Sequence, residues 1–148
     1  MFHLRLIYLP DDQHCGELKA IAEGVGFRGH GAAWFNRSAL DAFAEELTQY
    51  PIPQGQPIVL KGGEGICADG SLVSVNLGLS ISPYNSLGSV RADIELAHTV
   101  LAGGPSDLPL RASLAFLTTY ADLEAFSREV AAMLDNGGQA MLLGQNDG

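Results

Sequence analysis

The amino-acid sequence predicts the α+β fold class: a mainly antiparallel sheet of six or seven strands with two amphipathic helices packed on it. Several segments alternate apolar and polar residues with a period of two, which is typical of strands with one face in water. Two other segments repeat apolar residues at positions i, i+3, i+4 and i+7, which is the spacing of one helix face. Since the chain has 148 residues and no low-complexity linker, we expect a single domain over residues 1–148.

The strand pattern is clearest between residues 71 and 82, where Leu77, Leu79 and Ile81 point to one side and small polar residues to the other. Residues 89–98 and 110–118 repeat the alternation, and these three consecutive strands predict an antiparallel meander. Shorter strand patterns occur at residues 2–9, 17–27, 31–35 and 58–61.

The two predicted helices have recognisable ends. The first is expected to begin near Ser38, whose hydroxyl suits an N-cap, and to end before Pro51. The second is expected to begin near Thr119 and to end at Asn136, where two glycines follow. Their apolar faces are predicted to consist of Leu40, Phe43, Ala44 and Leu47 in the first helix, and of Leu123, Phe126, Val130, Met133 and Leu134 in the second.

The composition excludes several function classes. The net charge is −9, and the eight Lys and Arg residues do not cluster, so we expect no nucleic-acid binding. No apolar stretch approaches the length of a membrane span, so we expect no membrane contact. The start of the chain lacks the features of a signal peptide, and two distant cysteines are typical of reduced thiols, so we expect a cytoplasmic protein.

One glycine motif invites a nucleotide-binding interpretation. Residues 24–29 match G-x-G-x-x-G, which binds a dinucleotide only when it joins a strand to a helix. Here the residues after the motif read as a strand, and the first helix begins only near Ser38. We therefore expect a hairpin turn between two strands, and no cofactor.

No catalytic or metal-binding motif stands out. The four histidines lack metal-ligand spacing, although distant residues can converge in a fold. Cys67 lies in a glycine-rich segment and is interpreted as a buried or half-buried thiol rather than a nucleophile. We therefore assign no catalytic, cofactor-binding or metal residues, and an enzymatic role stays open but disfavoured.

Two adjacent aromatic residues, Trp34 and Phe35, point to opposite faces if they lie in a strand. One of them must leave the main core of the sheet. Burial beneath a helix is the favoured expectation for that residue, and exposure as a binding anchor is the alternative.

A family resemblance rests on two blocks of residues. The segment 26–35 (GFRGHGAAWF), followed by Leu40, Phe43 and Leu47, resembles the wall-associated-protein immunity family (WapI-like), as does the segment 123–134. These are small cytoplasmic proteins of bacterial toxin systems. The resemblance implies an antitoxin that binds and blocks a partner toxin without catalysis, and it supplies no catalytic residues.

An acidic protein suits a basic toxin domain, because opposite charge speeds association. On charge alone, we expect the partner surface to include Asp41, Glu45, Glu46, Asp93 and Glu95, with Trp34 as a further candidate.

Two alternatives stay open. The first is a small-molecule-binding domain or an enzyme with a cleft between sheet and helices, with polar groups around His30, His98 and Cys67. The second is a self-associating structural protein, with a strand edge or the serine-rich face of residues 71–82 as its interface. The chain is expected to be a monomer or a homodimer.

Overall fold

A computed structural model describes residues 1–66, 72–100 and 108–145 of the chain. In these ranges eight strands and two helices follow one another along the sequence. The elements are β1 His3–Pro10, β2 Cys15–Gly24, β3 Phe27–Asn36, α1 Arg37–Glu46, β4 Ile58–Ile66, β5 Leu72–Pro83, β6 Ser89–Val100, β7 Leu108–Thr119, α2 Tyr120–Asn136 and β8 Gln139–Leu143.

The strands form two antiparallel sheets of four. Sheet A has the order β3-β2-β1-β8, and sheet B has the order β4-β5-β6-β7. The α+β class, the antiparallel pairing and the two helices are confirmed, and β5, β6 and β7 form the predicted meander. The single sheet of six or seven strands is wrong in detail, because alternation shows which side of a strand is buried but not which strands share hydrogen bonds.

Both sheets and both helices contribute to one hydrophobic core. Leu4 and Leu6 enter it from sheet A, Leu79 and Ile94 from sheet B, and Phe126 from α2. Burial of this size is the main force that holds the layers together. No helix in the described part of the chain is long and apolar enough to cross a membrane.

Strand β3 brings the two sheets into close contact. Its inward positions Gly29 and Gly31 face Ala112, the main chain of Asn76 and the side chain of Leu96, all in sheet B. A Cβ atom at either glycine would collide with these neighbours. Because glycine has no side chain, β3 lies closer to sheet B than a larger residue at either position would permit.

The glycine motif of residues 24–29 lies in the hairpin between β2 and β3, as predicted. The two central residues of the turn, Val25 and Gly26, have φ angles of 52° and 78°. Positive φ at both positions is what a two-residue type I′ hairpin turn requires. No helix begins at this motif, so its N–H groups do not form a pyrophosphate site.

The start of α2 agrees with the prediction, whereas the start of α1 does not. Thr119 caps α2, and its hydroxyl accepts a hydrogen bond from the Asp122 N–H at 3.1 Å. The expected Ser38 cap is wrong, because β3 runs directly into α1 and places the N-cap at Asn36, without a side-chain hydrogen bond. Ser38 therefore lies inside the first turn, where its hydroxyl is exposed.

The apolar faces of both helices are confirmed. All nine residues predicted for them are buried in the core. Strand β8, which follows α2, was not among the predicted strands because only five residues carry its pattern; it pairs with β1 and completes sheet A.

Candidate interaction surface and the groove between the sheets

The two helices form a strongly acidic outer surface. They carry seven of the chain's 17 acidic residues but only two of its eight Lys and Arg residues, so more than half of the net charge lies on them. We call this surface the helical surface and define it by its exposed carboxylates: Asp41, Glu45, Glu46, Glu124, Glu129 and Asp135.

Hydrogen bonds between the helices hold this surface in place. The Ser127 hydroxyl, which is buried, donates to the Ala44 carbonyl oxygen at 2.6 Å. The Arg37 guanidinium donates to the Leu134 carbonyl oxygen at 2.9 Å and bridges the carboxylates of Asp41 and Asp135. These carboxylates raise the pKa of Arg37. The two helices are therefore fixed relative to each other, and so are the carboxylates that they carry.

An exposed aromatic residue lies at the edge of the helical surface. Tyr50 has 76% of its surface exposed, and its ring packs edge-on against Tyr120 with the centroids 4.7 Å apart. Together with Leu47 and Glu124 they line a pocket of about 400 Å³ between the end of α1 and the start of α2. The Tyr120 hydroxyl accepts a hydrogen bond from the main chain at 3.2 Å, which fixes the inner ring.

Sequence reasoning did not identify Tyr50 as a candidate. The residue lies in a loop after α1, outside any periodic pattern, and its place beside α2 depends on how the helices pack. The one available signal was a large aromatic residue directly before Pro51, at the predicted end of the first helix.

The structure separates the predicted partner-binding residues into three places. Asp41, Glu45 and Glu46 lie together on the helical surface. Asp93 and Glu95 lie on the outer face of sheet B, because their neighbours along β6 are buried in the core. Asp93 is paired with Arg91 at 2.9 Å, so its charge is partly compensated. The sixth candidate, Trp34, lies elsewhere on β3.

Trp34 is exposed over 60% of its surface, whereas Phe35 is buried. The expectation that the second aromatic residue is buried beneath a helix is therefore wrong. Both helices pack against the same core that contains Phe35, which leaves the opposite side of β3 uncovered. Trp34 lies directly across from Glu17 in the β2–β3 pair.

A polar groove runs along the edge of β3, where sheet A meets sheet B. It has a volume of about 280 Å³, and its lining includes Glu17, His30, Trp34, Asn76 and His98. We call it the seam groove. The rings of His30 and His98 come within 6.2 Å of each other, measured between centroids.

The expected pocket around His30, His98 and Cys67 is thus found in part. The two histidines converge, but the groove lies between the two sheets rather than between sheet and helices, where core side chains fill the space. Cys67 lies outside the described residues. No spacing in the sequence signals the convergence, because His30 and His98 belong to strands of different sheets.

A third polar cluster lies in the turn after β1. Asp11, Asp12 and Cys15 place possible ligand atoms within 4.8 Å of one another. The Asp12 carboxylate accepts hydrogen bonds from the main-chain N–H groups of His14 and Cys15, and these bonds lower the pKa of Asp12. Desolvation raises the pKa of the Cys15 thiol, so the thiol stays protonated at neutral pH. The hydrogen bonds of the turn explain why these three side chains lie close together.

Comparisons with family models, curated proteins and solved structures find no match to this chain. The resemblance to the WapI-like family therefore stays a prediction. The helical surface and the seam groove are the two features of the described residues that are suited to binding another molecule.

Proposed function

We propose that the chain is a protein-binding module, an immunity-like inhibitor that binds and neutralises a basic toxin domain in the cytoplasm. The observation that carries the proposal is the helical surface, which combines clustered carboxylates with an exposed aromatic residue on a hydrogen-bonded base. A rigid, mainly acidic surface with an aromatic residue at its edge is suited to specific protein binding.

Three of the six carboxylates that define the helical surface are available to a partner without breaking an ion pair. Within the described residues, Glu45, Glu46 and Glu129 form no ion pair. The electrostatic field of such an acidic surface raises the rate at which an oppositely charged protein associates. The field weakens as salt is added. A basic partner would bring further Lys and Arg residues to a side of the chain that carries only Arg37 and Arg128.

Tyr50 supplies the part of the interface that does not depend on salt. An exposed tyrosine offers a large apolar face and a polar tip, and such residues dominate many interfaces energetically. Its ring already rests on Tyr120, so little conformational freedom is lost when a partner covers it. We expect Tyr50 to set the lifetime of the complex and the carboxylates to set its rate of formation.

The resemblance to WapI-like proteins supports the cytoplasmic toxin partner. The acidic composition supports the same proposal, because nuclease-like toxin domains need basic surfaces to bind nucleic acid.

The test is affinity capture from lysate of the source cells, at low and at high salt, followed by growth assays. We expect a basic protein that is retained at low salt and released at high salt. Expression of that protein alone is expected to arrest growth, and co-expression of this chain is expected to restore it.

Matched variants locate the surface. Glu45→Gln with Glu46→Gln removes two charges from the helical surface, and Asp93→Asn with Glu95→Gln removes two from the outer face of sheet B. We expect only the first pair to slow association, by about tenfold at low salt. Tyr50→Ala is expected to speed dissociation at all salt concentrations. If a captured toxin associates equally fast with both double variants, its interface is not the helical surface.

A second candidate function has one observation in its favour. The seam groove gathers two histidines, a glutamate, an asparagine and an exposed tryptophan in one cavity, as ligand sites do. A thermal-shift screen against metabolites tests this alternative, with Trp34→Ala as the variant in which stabilisation by a true ligand would be lost.

A further inference from the structure

Two histidines that are distant in the sequence meet at the seam between the sheets. His30 comes from β3, the edge strand of sheet A, and His98 comes from β6 of sheet B. Both side chains are exposed, their ring centroids lie 6.2 Å apart, and the ring planes are tilted by 47°. Each ring is thus accessible from solvent and lies within reach of the other.

We propose that His30 and His98 bind one divalent transition-metal ion of the zinc class, which joins the edge of sheet A to sheet B. Imidazole nitrogen is the commonest protein ligand for such ions, and none of the described residues that line the groove carries the sulfur ligands that copper(I) prefers. With four positions in tetrahedral geometry, the two positions not taken by the histidines belong to water.

The distance between the ring centroids is about 1 Å longer than a shared zinc ion requires. With Zn–N bonds of about 2.0–2.1 Å in tetrahedral geometry, two imidazole rings have centroids roughly 5 Å apart. The observed 6.2 Å requires the rings to approach by about 1 Å, which small rotations of two exposed side chains supply. Such rotations displace no core residue.

The backbone beneath the two rings is fixed, which reduces the cost of binding. Gly29 and Gly31, on either side of His30, pack directly on sheet B, and Gly31 meets the Leu96 side chain two residues before His98. Strands β3 and β6, which carry the two histidines, are therefore held in place relative to each other. Glu17 and Asn76 line the same groove and provide acceptor oxygens for metal-bound water.

The experiment uses untagged protein with Cys15→Ser, because Asp11, Asp12 and Cys15 are a second group of possible ligands in the described part of the chain. Zinc binding is measured by titration calorimetry, and histidine ring signals are followed by NMR. The variants are His30→Gln and His98→Gln, with His14→Gln as the control, since His14 is exposed in the turn after β1.

We expect one zinc ion per chain and ring signals of His30 and His98 that shift together. Each of these two substitutions is expected to weaken the affinity at least about tenfold, since even outer-shell changes cost that much. His14→Gln is expected to leave it unchanged. Zinc is also expected to raise the thermal midpoint of the parent protein but not of His30→Gln or His98→Gln.

Three results would overturn the proposal: no saturable zinc binding, binding that survives both seam substitutions, or binding that depends on only one of the two histidines. Both positions are exposed, so the variants should fold, and far-UV circular dichroism without metal checks this. The result does not depend on the toxin partner, so it stands or falls separately from the proposed function.

Discussion

Replacement of Gly31 by alanine should push the two sheets apart. A Cβ atom at this position would collide with the main-chain oxygen of Asn76 and would lie 3.3 Å from two atoms of the Leu96 side chain. A side chain could rotate away, but a main-chain oxygen in the middle of β5 cannot move without bending its strand. The collision must therefore be relieved by a shift of β3 relative to sheet B.

The expected loss of stability follows from two opposing effects. Overpacking of a closely packed interior costs about 1–3 kcal/mol, and a backbone obstacle places Gly31→Ala near the upper end. The loss of chain freedom in the unfolded state returns about 0.4–1 kcal/mol. The net destabilisation is about 2 kcal/mol, which for a chain of this size lowers the thermal midpoint by about 4–8 °C.

Urea denaturation followed by far-UV circular dichroism measures this loss. Gly78→Ala is the matched control, because its Cβ atom would meet side-chain atoms and no main-chain atom within this range: Val75 Cγ1 at 3.2 Å, and Cβ and Oε2 of Glu95 at 3.6 Å. That variant is expected to stay within about 0.5 kcal/mol of the parent protein. The close packing of β3 on sheet B would be refuted if Gly31→Ala were as stable as Gly78→Ala.

Three further outcomes are expected. Thr119→Ala should cost about 1 kcal/mol of unfolding free energy in urea, because it removes the N-cap of α2, whereas Ser38→Ala should change it by less than about 0.5 kcal/mol, because that hydroxyl caps nothing. Ser127→Ala should cost about 1–2 kcal/mol by the same assay, since it leaves the Ala44 carbonyl oxygen without its 2.6 Å donor; a neutral result would contradict the bond between the helices. The pKa of Asp12 is lowered in the folded state. Its contribution to stability is therefore present at pH values above the pKa of Asp12 in the unfolded chain, and it is lost as the pH falls through the pKa of the folded state. Asp12→Ala should make the thermal midpoint less dependent on pH in acid, and an unchanged pH profile would contradict this.

Local patterns in the sequence were sufficient for both helices, for seven of the eight strands in the described residues and for most of the core. The period of two in β5 and β6 and the helical spacing in α1 and α2 each depend only on neighbouring residues, and the buried residues they predicted are buried. The hairpin at Val25 and Gly26 and the cap at Thr119 are equally local. The prediction of an N-cap at Ser38 was wrong for a physical reason. Strand β3 continues to Asn36, and residue propensities alone do not show at which residue a strand ends and the following helix begins.

The candidate sites depend on contacts between distant segments. Asp41, Glu45 and Glu46 could be placed on one helix face from their spacing, but the position of Tyr50 beside α2 follows from helix packing. The meeting of His30 with His98 follows from the way β3 crosses sheet B.

The sequence by itself thus determined the class of the fold, the identity of most core residues and the acidity of the helical surface. Only the tertiary structure decided that the strands divide into two sheets, that Trp34 faces a groove and that His30 and His98 meet there. The reason is that side-chain periodicity records which face of an element avoids water. The pairing of strands and the crossing of sheets depend on backbone hydrogen bonds and steric fit between residues far apart in the chain.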